Sequence, residues 1–277
     1  MPALRHAVCN EIFQGCSFAQ AASAIRKAGY AGIEIAPFTL AADPAALAPA
    51  ARREFRDILA SEDIEFAGMH WLLAAPPGLH VTTPDRALRE RSWGYLRRMI
   101  DLCSDFGGGV LVFGSPKQRS ATGGLSPAQA ARTLAEGLAE IAPYAAARGA
   151  TLLLEALSPD QTDVVTTLDE AAAIVREIGH PGVQMVFDTH NAVAEVEQHE
   201  VLLDRHFDLV RHVHFNEMDG RQPGSGSYDF RPVLEVLDRR GYTGWVSLEV
   251  FDLAGDAVEI AAGSLQYLEG VARRMGK

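Results

Sequence analysis

A chain of 277 residues, 48% of them hydrophobic and 22% charged, has ordinary globular composition and enough apolar material for a large core. Its net charge of -11, with a sequence pI near 5.3, opposes a phosphate backbone and argues against nucleic acid as a partner. Cys9, Cys16 and Cys103 show no CxxC spacing, and no leader pattern or apolar run of membrane-spanning length is evident, which points to a cytoplasmic chain in a reducing compartment with no membrane partner.

Short β-branched or leucine-rich runs alternate with longer amphipathic stretches along the whole chain, the pattern of repeated βα units on a parallel sheet. The predicted strands cover 4–8, 32–36, 64–70, 109–113, 151–155, 183–188, 210–215 and 245–250. Helices are predicted between them, for example over 18–29, 44–62, 84–107 and 126–149, each opening near Ser, Asp or Pro and mostly closing at Gly. The joints A-G-Y-A-G (28–32) and R-G-Y-T-G (240–244) are nearly the same words, and glycine there suits a left-handed helix cap. Eight units in about 250 residues match a closed barrel, whereas open doubly wound sheets more often stop at about five to seven strands. The expected fold is therefore α/β, a single (β/α)8 TIM barrel domain over residues 1–277. No Gly-rich dinucleotide fingerprint or P-loop follows the first strand. The longer Gly- and Pro-rich stretches, 71–83, 115–127 and 216–229, all follow strands, where such barrels build their active sites.

Each of the last four strands ends in a possible metal ligand: Glu155 in TLLLEAL, Asp188 in VQMVFDTHN, His214 in VRHVHFNE and Glu249 in WVSLEVFD. An ionised carboxylate closing an apolar strand is costly unless a partner or an ion compensates it. Any one of these acids can simply cap a helix or pair with an arginine. Three carboxylates and an imidazole converging on one rim need a cation between them. Oxygen-rich coordination with one imidazole and no thiolate favours one divalent ion, Mn²⁺ first and Mg²⁺ or Co²⁺ after it, over structural zinc.

The pattern E(155)…FD(188)TH…HVHFNE(212–217)…LE(249) resembles the sugar isomerase/epimerase superfamily of xylose isomerase-like TIM barrels, which includes the tagatose/psicose 3-epimerases. The likeness spans essentially the whole chain. It implies a metal-dependent isomerase or epimerase of carbohydrate metabolism, acting on a small keto sugar or related hydroxy ketone, in which Glu155 and Glu249 both hold the ion and serve as the acid/base pair. An ion gripping a carbonyl oxygen and its neighbouring hydroxyl acidifies the C–H between them and stabilises the enediolate that remains. Glutamates on opposite faces would invert that carbon, and one face working alone would move a proton between adjacent carbons. The resemblance also implies substrate contacts at His70, His190 and Arg221 and, with the chain's size, a homodimer or homotetramer. His212, two residues before His214 and one layer deeper, and Glu34, in the middle of GIEIA, are read as packing or buried hydrogen bonding. Trp71, Phe38 and Phe251 are read chiefly as packing.

Two departures bear on the substrate. Shortly after the strand-5 ligand the ketose 3-epimerases carry a second glutamate, where this chain has Ser158, Pro159, Asp160 and Gln161, and their aspartate and substrate histidine stand one residue further apart than Asp188 and His190. The alternative is a metal-dependent dehydratase or lyase of a cyclic keto-polyol, inosose dehydratase-like, since the same enediolate can expel a β-hydroxyl beside an acid. A third reading, an abasic-site endonuclease, needs further His and Asp ligands for three metals, but strand 4 ends at Gly114. Lys117, Arg119 and Arg221 are read as loop cations without a defined phosphate cradle.

Overall fold

All eight predicted strands form, and they pair edge to edge in chain order until the last closes on the first. They are β1 (Arg5–Cys9), β2 (Gly32–Ile35), β3 (Glu65–Met69), β4 (Gly109–Phe113), β5 (Ala150–Leu154), β6 (Val183–Asp188), β7 (Val210–Phe215) and β8 (Trp245–Leu248). The computed structural model describes residues 4–252 and 255–276. Every pairing is parallel, and closure sets Arg5 to Val8 of β1 against Trp245 to Leu248 of β8. The α/β expectation of a single (β/α)8 barrel is thus met.

Four predicted strands run slightly long, β2 by one residue at Ala36 and three others at residues of the site. The ladders end at Met69, Leu154 and Leu248, so His70, Glu155 and Glu249 lie one residue beyond their strands. Each is still tied to the neighbouring strand by a backbone hydrogen bond: His70 N to Ile35 O at 3.1 Å, Glu155 N to Phe113 O at 3.4 Å and Glu249 N to Phe215 O at 3.4 Å. These bonds hold three site residues on the barrel rim rather than in free loops.

The helices are α1 (Phe18–Lys27), α2 (Pro49–Ser61), α3 (Arg86–Asp105), α4 (Pro127–Ala147), α5 (Leu168–Ile178), α6 (His199–His206), α7 (Arg231–Arg239) and α8 (Ala257–Arg274). Their starts are chemically marked. Ser17 with Gln20, and Ser126 with Gln129, form reciprocal capping boxes, and Asp85, Thr167 and Asp256 accept hydrogen bonds from first-turn amides; each such cap is worth about 1 kcal/mol. Gly29 and Gly241, in the two similar joints, adopt φ of +96° and +65°, the left-handed turns expected of them. Among the described residues no helix is long and apolar enough to cross a membrane.

The barrel interior changes character along its axis. Trp245 plugs the floor against Ala7 and Ala67. A Cβ on Gly32 would stand 2.7 Å from the indole, so the glycine makes room for that plug. Above it the interior is polar: Glu34, His212 and Ser247 are completely buried, where barrels of this class usually stack branched aliphatics. These residues are hydrogen-bonded to one another rather than packed as apolar filler.

Candidate metal centre and active site

The rim residues of β5 to β8 meet at one point. A donor atom from each of Glu155, Asp188, His214 and Glu249 lies within 4.8 Å of the others. Parallel pairing explains the convergence, because Asp188 sits beside His214 in register while Glu155 and Glu249 approach from the strands on either side. The exposures are 6% for Glu155, 3% for Asp188, 0% for His214 and 5% for Glu249, so water screens these charges little.

His214 Nδ1 is 2.9 Å from Glu249 Oε2, 3.4 Å from Asp188 Oδ2 and 3.9 Å from Glu155 Oε1. Among the described residues it has no well-directed hydrogen-bond partner. Burial, reinforced by the charges of Glu249 and Asp188, pushes the Glu155 carboxyl up to about 8. Burial likewise raises Glu249 against the pull of His214. Asp188 is held low despite its burial by the His214 ring close beside it and by the Asn191 amide. Three buried carboxylates with an imidazole nitrogen aimed among them form a hole that could hold a positive charge. The donor set of three carboxylates and one imidazole fits a divalent ion with a preference for oxygen. Cys9, near Glu34 and His70, is no rival ligand, since burial raises its thiol well above the ordinary range and keeps it protonated.

The carboxylates are oriented from behind. Asn191 donates from Nδ2 to Glu155 Oε1 (3.1 Å) and from its backbone to Asp188 Oδ1 (2.7 Å), and Gln161 in turn holds Asn191 Oδ1 at 2.6 Å. Asn216 reaches Asp188 Oδ2 at 3.4 Å. Gly114 closes β4 against Glu155, where a Cβ would lie 2.2 Å from Glu155 Oε2. Arg119, read from the sequence as a loop cation, is fully buried and donates to Phe113 O at 3.2 Å and Val165 O at 3.4 Å. Burial lowers its guanidinium to about 10, and the charge of Glu155 opposes that fall.

A narrow cavity of about 20 Å³ opens beside the cluster, with Glu155 and Glu249 both in its wall. His70, Trp71, Gln161 and Phe251 line it as well, so Trp71 and Phe251 face the site instead of serving only as packing. Trp71 holds a left-handed backbone, φ +52°, an arrangement costing about 1–3 kcal/mol that surrounding contacts must sustain. Phe38 points elsewhere, into a neighbouring groove shared with Glu11.

The three expected substrate contacts separate. His70 lines the cavity and donates from Nε2 to Glu11 Oε1 at 2.9 Å, with Glu249 Oε1 3.9 Å away. Its burial is overcome by the charges of Glu11, Glu34 and Glu249, which raise it to about 9 and keep it cationic. His190 stands outside the cavity wall, bonded through Nδ1 to Met218 O at 2.8 Å and tilted against Phe251. Arg221 is 42% exposed in its side chain, pairs with Asp219 at 2.8 Å and is not among the residues lining the cavity. Glu11 and Asn191 carry no strand-end signature, and nothing in the linear pattern singled them out; Gln161 stood out only as part of the segment that departs from the ketose 3-epimerases.

A family model for the xylose isomerase-like TIM barrel matches residues 22–271. The chain is 26% identical over 202 residues to the ketose 3-epimerase of Arthrobacter globiformis, covering 70% of this chain and 66% of that protein. It is 29% identical over 128 residues to the inosose dehydratase of Geobacillus thermodenitrificans, covering 38% and 43% respectively. The chain thus spans two-thirds or less of the length of these curated relatives. A D-psicose 3-epimerase structure from Clostridium cellulolyticum H10 superposes with a TM-score of 0.86 at 16% identity, over 97% of this chain and 99% of that one, which shows a shared fold. With 250 consecutive positions matched, from residue 22 to residue 271, this chain belongs to the xylose isomerase-like TIM barrel family.

Proposed function

We propose that this protein is a divalent-metal-dependent epimerase or isomerase of a small keto sugar or related hydroxy ketone. One observation carries the reading: Glu155 and Glu249 belong at once to the cation hole and to the wall of the adjoining cavity. Glu155, Asp188, His214 and Glu249 would hold the ion, with Mn²⁺ preferred over Mg²⁺ and Co²⁺ by the donor set. When bound, that ion supplies positive charge next to a substrate carbonyl and its neighbouring hydroxyl, making the intervening C–H acidic.

The chain's own residues do the remainder. One of Glu155 and Glu249 removes the proton from the carbon beside the carbonyl, and the other returns a proton to the opposite face. His70, cationic and buried in the cavity wall, donates a hydrogen bond to a substrate oxygen, and Trp71 and Phe251 exclude water. His190 and Arg221 enter this reading as rim contacts, reached by a substrate that extends past the cavity. A cytoplasmic homodimer or homotetramer completes the proposal.

Dehydration of a cyclic keto-polyol is the second reading. The inosose dehydratase relative favours it, as does Gln161 in the cavity wall near the place where the 3-epimerases carry a second glutamate. The test is incubation of Mn²⁺-loaded protein with ketoses and inososes in D₂O. Deuterium entering beside the carbonyl without loss of water supports epimerisation or isomerisation. An ultraviolet-absorbing enone transfers the assignment to dehydration, and no exchange and no enone with any member of the panel overturns both.

A further inference from the structure

Glu34 lies outside the four-residue cluster, in the middle of β2, and its side chain is completely buried. A carboxylate with no access to water must be satisfied by donors, and here both donors are histidines of β7. Glu34 Oε1 accepts from His214 Nε2 at 3.1 Å, and Oε2 accepts from His212 Nε2 at 2.6 Å. His212 and His214 are two residues apart and therefore on one face of the strand, with ring centroids 5.2 Å apart. One carboxylate thus spans both rings and is pinned at each oxygen.

We infer that Glu34 is the positioning residue of the metal centre: it accepts a hydrogen bond from the Nε2–H of His214 and so keeps the proton on that nitrogen, leaving Nδ1 to the ion. This inference rests on the metal site proposed above. An imidazole offers an ion a lone pair on one nitrogen only when its proton sits on the other, and the choice is set by the partner of the protonated nitrogen. On His214 that partner is Glu34, and Nδ1 is left facing Glu249, Asp188 and Glu155 at 2.9 to 3.9 Å. His212 prevents the carboxylate from rotating by holding its second oxygen. Glu34, His212 and His214 do not themselves form an ion site, because 2.6 Å between Glu34 and His212 is a hydrogen-bond distance. Two donors on one ion, each about 2.0–2.2 Å from it, normally stand further apart.

Two measurements test this. The first is ¹⁵N NMR of histidine-labelled, Mg²⁺-loaded wild-type protein, in which His214 is expected to carry its proton on Nε2 and the ion on Nδ1. The opposite tautomer overturns the inference, and this experiment needs no variant to fold. The second is Mn²⁺ calorimetry on wild type and Glu34→Gln, with circular dichroism confirming the fold. An affinity loss of about 10- to 100-fold is expected in the variant, the usual effect of removing an orienting partner. Equal affinity overturns the role of Glu34 while leaving the metal centre standing. Absence of Mn²⁺ binding by the wild type overturns both.

Discussion

Replacing Gly114 by alanine should separate stability from function. The added Cβ would lie 2.2 Å from Glu155 Oε2 and 3.4 Å from the carboxyl carbon. Ordinary contact needs about 3.2 Å or more, so the oxygen must retreat by about 1 Å. Its partner oxygen is held by Asn191 Nδ2 at 3.1 Å, so the retreat becomes a rotation that moves Glu155 out of both the cation hole and the cavity wall. A displacement of about 1 Å in a reacting group can cost about 100-fold in rate. Gly114 has no positive φ, and alanine there restricts the unfolded chain, which by itself favours folding by about 0.4–1 kcal/mol. The expected result is a denaturation midpoint unchanged or slightly raised, with Mn²⁺ affinity and deuterium exchange both sharply reduced. Calorimetry, urea denaturation and D₂O exchange on the same preparation measure all three. Full affinity and exchange in Gly114→Ala would refute the placement of Glu155 at the reacting centre.

Three further outcomes are expected. Glu155, raised to about 8 by burial and its acidic neighbours, must lose its proton as an ion enters; below about pH 8 the apparent Mn²⁺ affinity should fall at least about tenfold per pH unit, with proton release measurable by calorimetry in buffers of different ionisation heat. A pH-independent dissociation constant would contradict this. His70, raised to about 9, contributes stability that is fully present below its unfolded value near 6.5 and is lost as pH rises through 9. Glu11→Gln should therefore cost roughly 1–3 kcal/mol in urea denaturation near pH 6 and distinctly less near pH 10, and an equal cost at both would dismiss the pairing. Trp245→Ala should remove about 3–5 kcal/mol by emptying the barrel floor while leaving Mn²⁺ affinity within about twofold, because Trp245 opens β8 whereas Glu249 lies just past its other end.

The barrel and its four clustered rim residues were legible in the linear chain because both are local signals. A strand of five or six residues announces itself by apolar run and flanking turn, and a charged residue closing such a run is conspicuous whatever the fold. Hence Glu155, Asp188, His214 and Glu249 could be picked out before their meeting point was known. Even the two glycine turns at 29 and 241 were visible, since a left-handed cap is a property of a few residues. What escaped depends on closure. Glu34 and His214 are 180 positions apart, and only a barrel that seats β2 across from β7 makes a mid-strand glutamate the partner of a rim histidine. Arg119 looked like a loop cation because nothing local reveals that its loop folds inward beneath Glu155. Gly114 bears no side chain to advertise its part, and its value lies in the neighbour it admits. Arg221 was visible as a loop arginine after a barrel strand, but only the folded loop pairs it with Asp219, two residues before it. Sequence patterning thus determined the strands and the residues that end them, while the three-dimensional closure decided which distant groups orient those residues and which cations reach them.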